Sequence, residues 1–147
     1  MEGRYIVNVE AAIVRDGRYL LIVRGPGESH APGTLSLPGG KVEDAGQRED
    51  VLEETARREA LEEVGVTLAA PLAYVHSVAF VADDGNPVVD VVFLGRYAGG
   101  ESTIADADEV AAFRWLTAAE VAADPQAPPW TRRSVGLAEA ARLGLGW

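Results

Sequence analysis

Residues 51–64, VLEETARREALEEV, contain neither Gly nor Pro, and they stand between Asp50 and Gly65. Asp50 suits an N-cap, Glu53 sits at the N3 position to reciprocate, and Gly65 is a natural C′ residue, so the spacing predicts a helix over Val51–Val64. At roughly 100° per residue, Leu52 and Ala56 mark one line along this helix. Glu59 and Glu63 fall close to the same line, with Glu62 within a quarter turn. The opposite face carries Glu53–Arg57 and Glu54–Arg58 at the favourable i,i+4 spacing and reads as solvated. Acids therefore sit on the side expected to pack inward. Two carboxylates about 5 Å apart repel by about 3 kcal/mol at an effective dielectric near 20, and partial burial adds desolvation. If ALEEVG is more than a solvated charge run, something cationic must offset that. Lysine or arginine could serve, but a hard divalent ion such as Mg²⁺ or Mn²⁺ suits carboxylate oxygen and cancels two charges at once.

The segments around the helix are β-rich. YIVNVEAAIV and RYLLIVR flank Asp16-Gly17, which offers the positive φ angles of a tight hairpin. LAYVHSVAFVA and VVDVVFLGRYA similarly surround the turn DDGNP. Between the first pair and the helix, GPGESHAPGTLSLPGGK is too dense in Gly and Pro for regular structure over most of its length, with a short strand expected near Leu35–Leu37. Thr117 and Glu120 form a capping box that starts a short helix closed by Asp124-Pro125. Thr131 begins an apolar-periodic run through Val135, Leu137, Ala138 and Leu143 that predicts a C-terminal helix. There is no internal repeat and no linker, so a single domain spanning residues 1–147 is expected.

Composition narrows the partners. With 48% hydrophobic residues the 147-residue chain can bury a core unaided, and with no cysteine any metal must be bound by oxygen or histidine. The net charge of −10 opposes a nucleic-acid polymer or an anionic membrane but not a small phosphorylated molecule met by a local cation. The chain lacks an apolar run near the ~20 residues that span a bilayer, and MEGRYIVNVE lacks the features of a signal peptide. A cytoplasmic location is the expectation. The oligomeric state is open, a homodimer being one option.

The residues resemble the Nudix hydrolase family (MutT-like), whose box reads G-x5-E-x7-R-E-U-x-E-E-x-G-U, with U a bulky aliphatic residue. Arg58, Glu59, Ala60, Leu61, Glu62, Glu63, Val64, Gly65 and Val66 match its second half, Ala60 being small for its slot. LPGGKVE (37–43) is similar to the strand and loop leading into the box, and DEVAAFRWLTAAEV (108–121) to a later strand that carries a Trp into a short helix. Two departures stand out. The stretch from Gly40 to Arg58 is about four residues longer than the pattern, with DAGQRE enlarging the loop, and Asp50 stands where the first acid of the box is Glu. Leu35 occupies a place where the family often has Trp.

The resemblance implies an α/β/α sandwich around a mixed β-sheet and a Mg²⁺-dependent pyrophosphohydrolase, Mn²⁺ being an alternative ion. Glu59, Glu62 and Glu63 would be metal ligands, joined by the Gly39 carbonyl. Water would attack one phosphorus of a diphosphate, its proton passing to Glu63 or Glu62, or else to Glu109. Arg58 is expected to tie the helix together by pairing with a neighbouring glutamate rather than to touch substrate. Gly40 would let the main chain approach a phosphate, and Arg24 and Lys41 are either phosphate contacts or ordinary solvated residues. His30 and His76 receive no role, Trp115 is expected to sit in the core, and Trp130 to pack the C-terminal helix in preference to lining a substrate cleft. The substrate would be a nucleoside di- or triphosphate derivative, for example an oxidised one such as 8-oxo-dGTP. ADP-ribose or another nucleotide conjugate is the alternative, as is a non-catalytic nucleotide-binding module, against which the three retained glutamates argue.

Overall fold

The computed structural model describes residues 3–43 and 46–147. The expectations for the extreme N-terminus and for the enlarged loop fall partly outside them, at Met1, Glu2, Asp44 and Ala45. Apolar alternation in β1 (Ile6–Arg15) and a nearly continuous apolar run in β2 (Arg18–Arg24) build the middle of a sheet. Asp16 and Gly17 join them at φ 50° and 73°, the backbone that a two-residue hairpin of this type requires. The pair faces Val14 with Tyr19 and Arg15 with Arg18.

The remaining strands are β3 (Leu35–Ser36), β4 (Gly39–Lys41), β5 (Val66–Leu68), β6 (Ala73–Val81), β7 (Pro87–Gly100) and β8 (Val110–Leu116). β1 runs parallel to β7 from Ile6–Val88 to Val14–Arg96, whereas β4 lies antiparallel on β1, β3 and β8 on β2, and β5 and β6 on β7. The eight-stranded sheet is therefore mixed. The Gly-rich stretch holds more strand than expected, since Gly39–Lys41 pairs with β1 as well as Leu35–Ser36 with β2.

Successive β1 side chains point to opposite faces. One face sets Val9, Ala11 and Ile13 against Ala56, Ala60 and Val64 of α1 (Val51–Val64). The other sets Ala12 and Val14 against Val121 of α2 (Ala118–Ala123) and Val135 and Ala138 of α3 (Pro129–Leu145). This is the α/β/α sandwich.

Several expectations need correction. Asp50 is left-handed, at φ 52° and ψ 36°, and its side chain caps nothing, because a working N-cap needs extended backbone to reach the first turn. Gly65 does close α1, its N–H bonding to the Ala60 and Leu61 carbonyls. Neither surface pair on α1 forms. Arg48 takes Glu54 at 2.7 Å and Arg57 donates to the Leu68 carbonyl at 2.7 Å, partners that outweigh an exposed i,i+4 pair worth a few tenths of a kcal/mol. α3 begins two residues before Thr131, with Pro129 at its first position, where a missing N–H costs nothing. Trp115 is half-buried, edge-on to Tyr97, but Trp130 is 58% exposed rather than packed.

Candidate active site

The β4 ladder sets Gly39 opposite Glu10 and Gly40 opposite Val9. A Cβ on Gly39 would run into the Val9 carbonyl and the Glu10 backbone, and one on Gly40 would collide with the Glu59 carboxylate. Close approach to backbone, rather than a turn, therefore requires Gly39, whereas at Gly40 a side chain would have to displace the Glu59 carboxylate. The second half of α1 leans over this ladder. The Gly39 N–H donates to Glu63 Oε2 at 3.1 Å. Arg58 Nη1 reaches Glu43, Glu59 and Glu62 at 3.1, 3.0 and 3.3 Å, and its Nη2 donates to the Lys41 carbonyl at 3.0 Å. The expected tie between Arg58 and neighbouring glutamates is thus present. The three acids differ in depth: Glu63 is half-buried, the Glu59 side chain is 16% exposed and that of Glu62 is 60% exposed. Among the described residues no three acidic or imidazole side chains converge on one ion-sized point, and Arg58 lies between Glu59 and Glu62.

Burial pushes the Glu63 carboxyl up to about 7; the Gly39 N–H opposes the rise, Glu59 and Glu28 reinforce it, and Arg24 opposes it. Glu59 is also raised, again chiefly by burial, with Arg58 pulling it back. Glu10 lies on the face of the sheet that α3 covers, and its carboxyl is raised well above the usual range by burial, by a hydrogen bond to Asp90 and by the Asp90 and Glu63 charges. Asn8 Nδ2 donates to Asp90 Oδ1 at 2.7 Å, completing a polar trio on that face.

Sequence reasoning passed over Glu10, Asn8 and Asp90. The available sign was a polar residue interrupting an apolar strand, in VNVEAAIV and VVDVV. It also passed over Glu28, whose charge acts on Glu63. Arg24 is anchored by Nη2 to Glu28 at 2.8 Å and by Nε to the His30 carbonyl at 2.9 Å, close enough for its charge to act on both Glu63 and Glu10. His30 in turn stacks on Trp130 at 6.2 Å and meets Asp83 at 3.0 Å, so three segments converge at the edge of the α3 face. Lys41 is exposed on β4 directly opposite Asn8, so its side chain shares the face of Asn8 and Glu10, and its charge reaches Asp84 beside Asp83. Glu109 is exposed on the turn before β8, linked to the Arg24 loop by its carbonyl, which accepts the Gly25 N–H at 2.8 Å.

The donor chemistry fits a hard divalent cation. Glu59 and Glu63 are carboxylates held partly out of water, Glu62 is an exposed arm one turn or less away, and a positive ion would reverse the upward pressure on both inward groups.

Comparison with known proteins agrees with this arrangement. The NUDIX domain matches residues 4–135. A MutT NUDIX hydrolase from Burkholderia pseudomallei is 29% identical, with 91% of this chain and 98% of that one covered and a TM-score of 0.74. The MutT protein from Methanosarcina mazei is 25% identical over 97% and 98% of the two chains, with a TM-score of 0.77. An ADP-ribose pyrophosphatase from Streptococcus suis shares the fold at 22% identity, covering 94% and 92%, with a TM-score of 0.63. No curated protein matches the sequence. The family and the hydrolases sharing its architecture mark the chain as an enzyme, a hydrolase of phosphoanhydride bonds. With a matching domain over most of its length and a glutamate-rich helix facing a Gly-Gly strand, the chain belongs to the NUDIX family.

Proposed function

We propose that this protein is a single-domain, Mg²⁺-dependent pyrophosphohydrolase that cleaves a nucleoside di- or triphosphate derivative by attack of water at phosphorus. The observation that carries this reading is Glu63, a desolvated carboxylate beside Glu59 whose nearest polar partner is the Gly39 N–H rather than a cation. Glu59, Glu62 and Glu63, with the Gly39 carbonyl, would hold the ion. When bound it supplies charge to the phosphate oxygens and lowers the pKa of water. Arg58 keeps Glu59 and Glu62 on the ligand side of the helix, and Arg24 brings a guanidinium toward the phosphates. The water's proton goes to Glu63 or Glu62, with Glu109 on the neighbouring turn as the other candidate.

The base belongs on the α3 face, where the Asn8–Asp90 pair offers both a donor and an acceptor and Trp130 an exposed ring. A nucleoside triphosphate, including an oxidised one such as 8-oxo-dGTP, suits that arrangement. ADP-ribose is the second reading, favoured by the pyrophosphatase of that specificity among the structural relatives.

A panel of nucleoside triphosphates, dinucleotides and ADP-sugars in ¹⁸O-labelled water tests both. We expect turnover that needs Mg²⁺ or Mn²⁺, and a fall of at least about 100-fold in kcat for Glu63→Gln with an unchanged circular dichroism spectrum. Equal turnover in that variant rejects the role given to Glu63.

A further inference from the structure

β1 ends at Arg15, about 17 Å along the strand from Glu10 at roughly 3.4 Å per residue. At that far end Arg15 and Tyr97 from the α1 side of the sheet, and Arg96, Arg142 and Trp147 from the α3 side, line a cavity of about 530 Å³. Among the described residues, Asp16 supplies the one acidic side chain in its lining. Two smaller hollows of about 400 and 280 Å³ adjoin it across Arg15 and open toward Trp115. A volume of this order is typical of small-molecule sites.

The charge here runs against the molecule. A chain of net charge −10 has gathered three guanidiniums around one hollow. Arg142 is occupied by Glu139 and by the Trp147 carbonyl. Arg15 and Arg96 have no carboxylate partner among the described residues. Instead, Arg15 lies 4.4 Å from the centre of the Tyr97 ring and Arg96 4.2 Å from that of Trp147. A ring face attracts a cation without neutralising it, and it holds the guanidinium plane while leaving N–H groups at the edge. Arg96 uses Nη2 on the Ala70 carbonyl at 3.0 Å, whereas its Nε, closed off from solvent, has no acceptor. Planar forks held in this way match the oxygens of a phosphate.

We infer that this cavity is a second, non-catalytic site for a small phosphate-bearing anion, held by Arg15 and Arg96 against the Tyr97 and Trp147 rings. Pyrophosphate and AMP share the required chemistry. Arg15 and Arg96 supply the charge directly, so the site needs no metal ion, and in a chelator the uncompensated Glu59–Glu63 cluster repels the same ligands.

The test is a titration of the full chain with sodium pyrophosphate and, separately, AMP in EDTA at constant ionic strength, following the indole N–H resonances of Trp115, Trp130 and Trp147 by NMR. We expect a saturable shift at Trp147 with Trp130 unmoved. Arg15→Gln and Arg96→Gln should each weaken binding at least about tenfold, while Glu63→Gln leaves it unchanged. Tighter binding of AMP identifies a nucleotide ligand, and equal binding identifies the phosphate alone. Arg15 is exposed and lies over the Tyr97 ring, so Arg15→Gln decides the matter if Arg96→Gln fails to fold. Absence of a saturable shift at Trp147, a shift centred on Trp130, or affinity untouched by Arg15→Gln overturns the inference.

Discussion

A desolvated carboxyl beside another acid can relieve the conflict by keeping a proton or by taking a cation, and Glu63 is in that position. Its value of about 7 stands above the ordinary 4.5, so the folded protein retains this proton where the unfolded chain has released it. The resulting stability is present in full below pH 4.5 and is lost as the pH rises to about 7, by up to about 3 kcal/mol. Urea unfolding in EDTA at pH 5 and pH 8 should show it as a difference between wild type and Glu63→Gln. Equal pH slopes would remove the basis for it. The comparison is needed because Glu10, raised for similar reasons, adds a slope of the same sign. Added Mg²⁺ should recover stability at pH 8 in proportion to its binding, by RT ln(1 + [Mg²⁺]/Kd), and should do so less in the variant. Gly40→Ala belongs to the same argument, because the new methyl meets the Glu59 carboxylate. We expect it to lower Mg²⁺-dependent turnover at least about tenfold by displacing Glu59, while urea unfolding changes by less than about 1 kcal/mol because the displaced atoms are the free end of a flexible side chain. The phase of Glu59, Glu62 and Glu63 could be read from helical spacing. The meeting of Asn8 with Asp90 could not, since 82 residues separate them and no local pattern encodes which strands become neighbours.

At the level of elements, two helices carry the same capping sequence and only one uses it. Thr117 and Glu120 exchange both hydrogen bonds at 3.1 Å, whereas Asp50 has turned left-handed. Thr117→Ala should therefore cost about 1 kcal/mol, and Asp50→Ala should stay within about 0.5 kcal/mol of wild type by urea denaturation. Asp50→Gly should hold or raise stability, because glycine meets no penalty at positive φ. The reverse ordering would mean that Asp50 caps α1 in solution. The sequence carried the helix and its Gly65 stop, but the failed cap depends on how the preceding loop approaches, which a four-residue signature does not specify. The start of α3 has a similar cause. Pro129 looks like a breaker in a one-dimensional reading, yet the first helical turn has no need of its N–H. Trp130 follows directly and projects outward, which is why an expectation of packing built on residue type alone gave way.

For the molecule as a whole, both hairpins were legible from turn chemistry, whereas the α/β/α layering followed from the family resemblance rather than from any local pattern. The order of strands was not legible. Its centre is the parallel pairing of β1 with β7, from Ile6–Val88 to Val14–Arg96. That one ladder has a temporal consequence. No hairpin can make it, and closing a loop of about 80 residues costs roughly 4 kcal/mol of chain entropy before any ladder contact forms. During synthesis the β1 edge of the early hairpin must stay unpaired until residues near 96 have left the ribosome. Translation stalled at residue 86 should yield a nascent chain that proteases digest readily, and stalling well beyond residue 100 one that resists them.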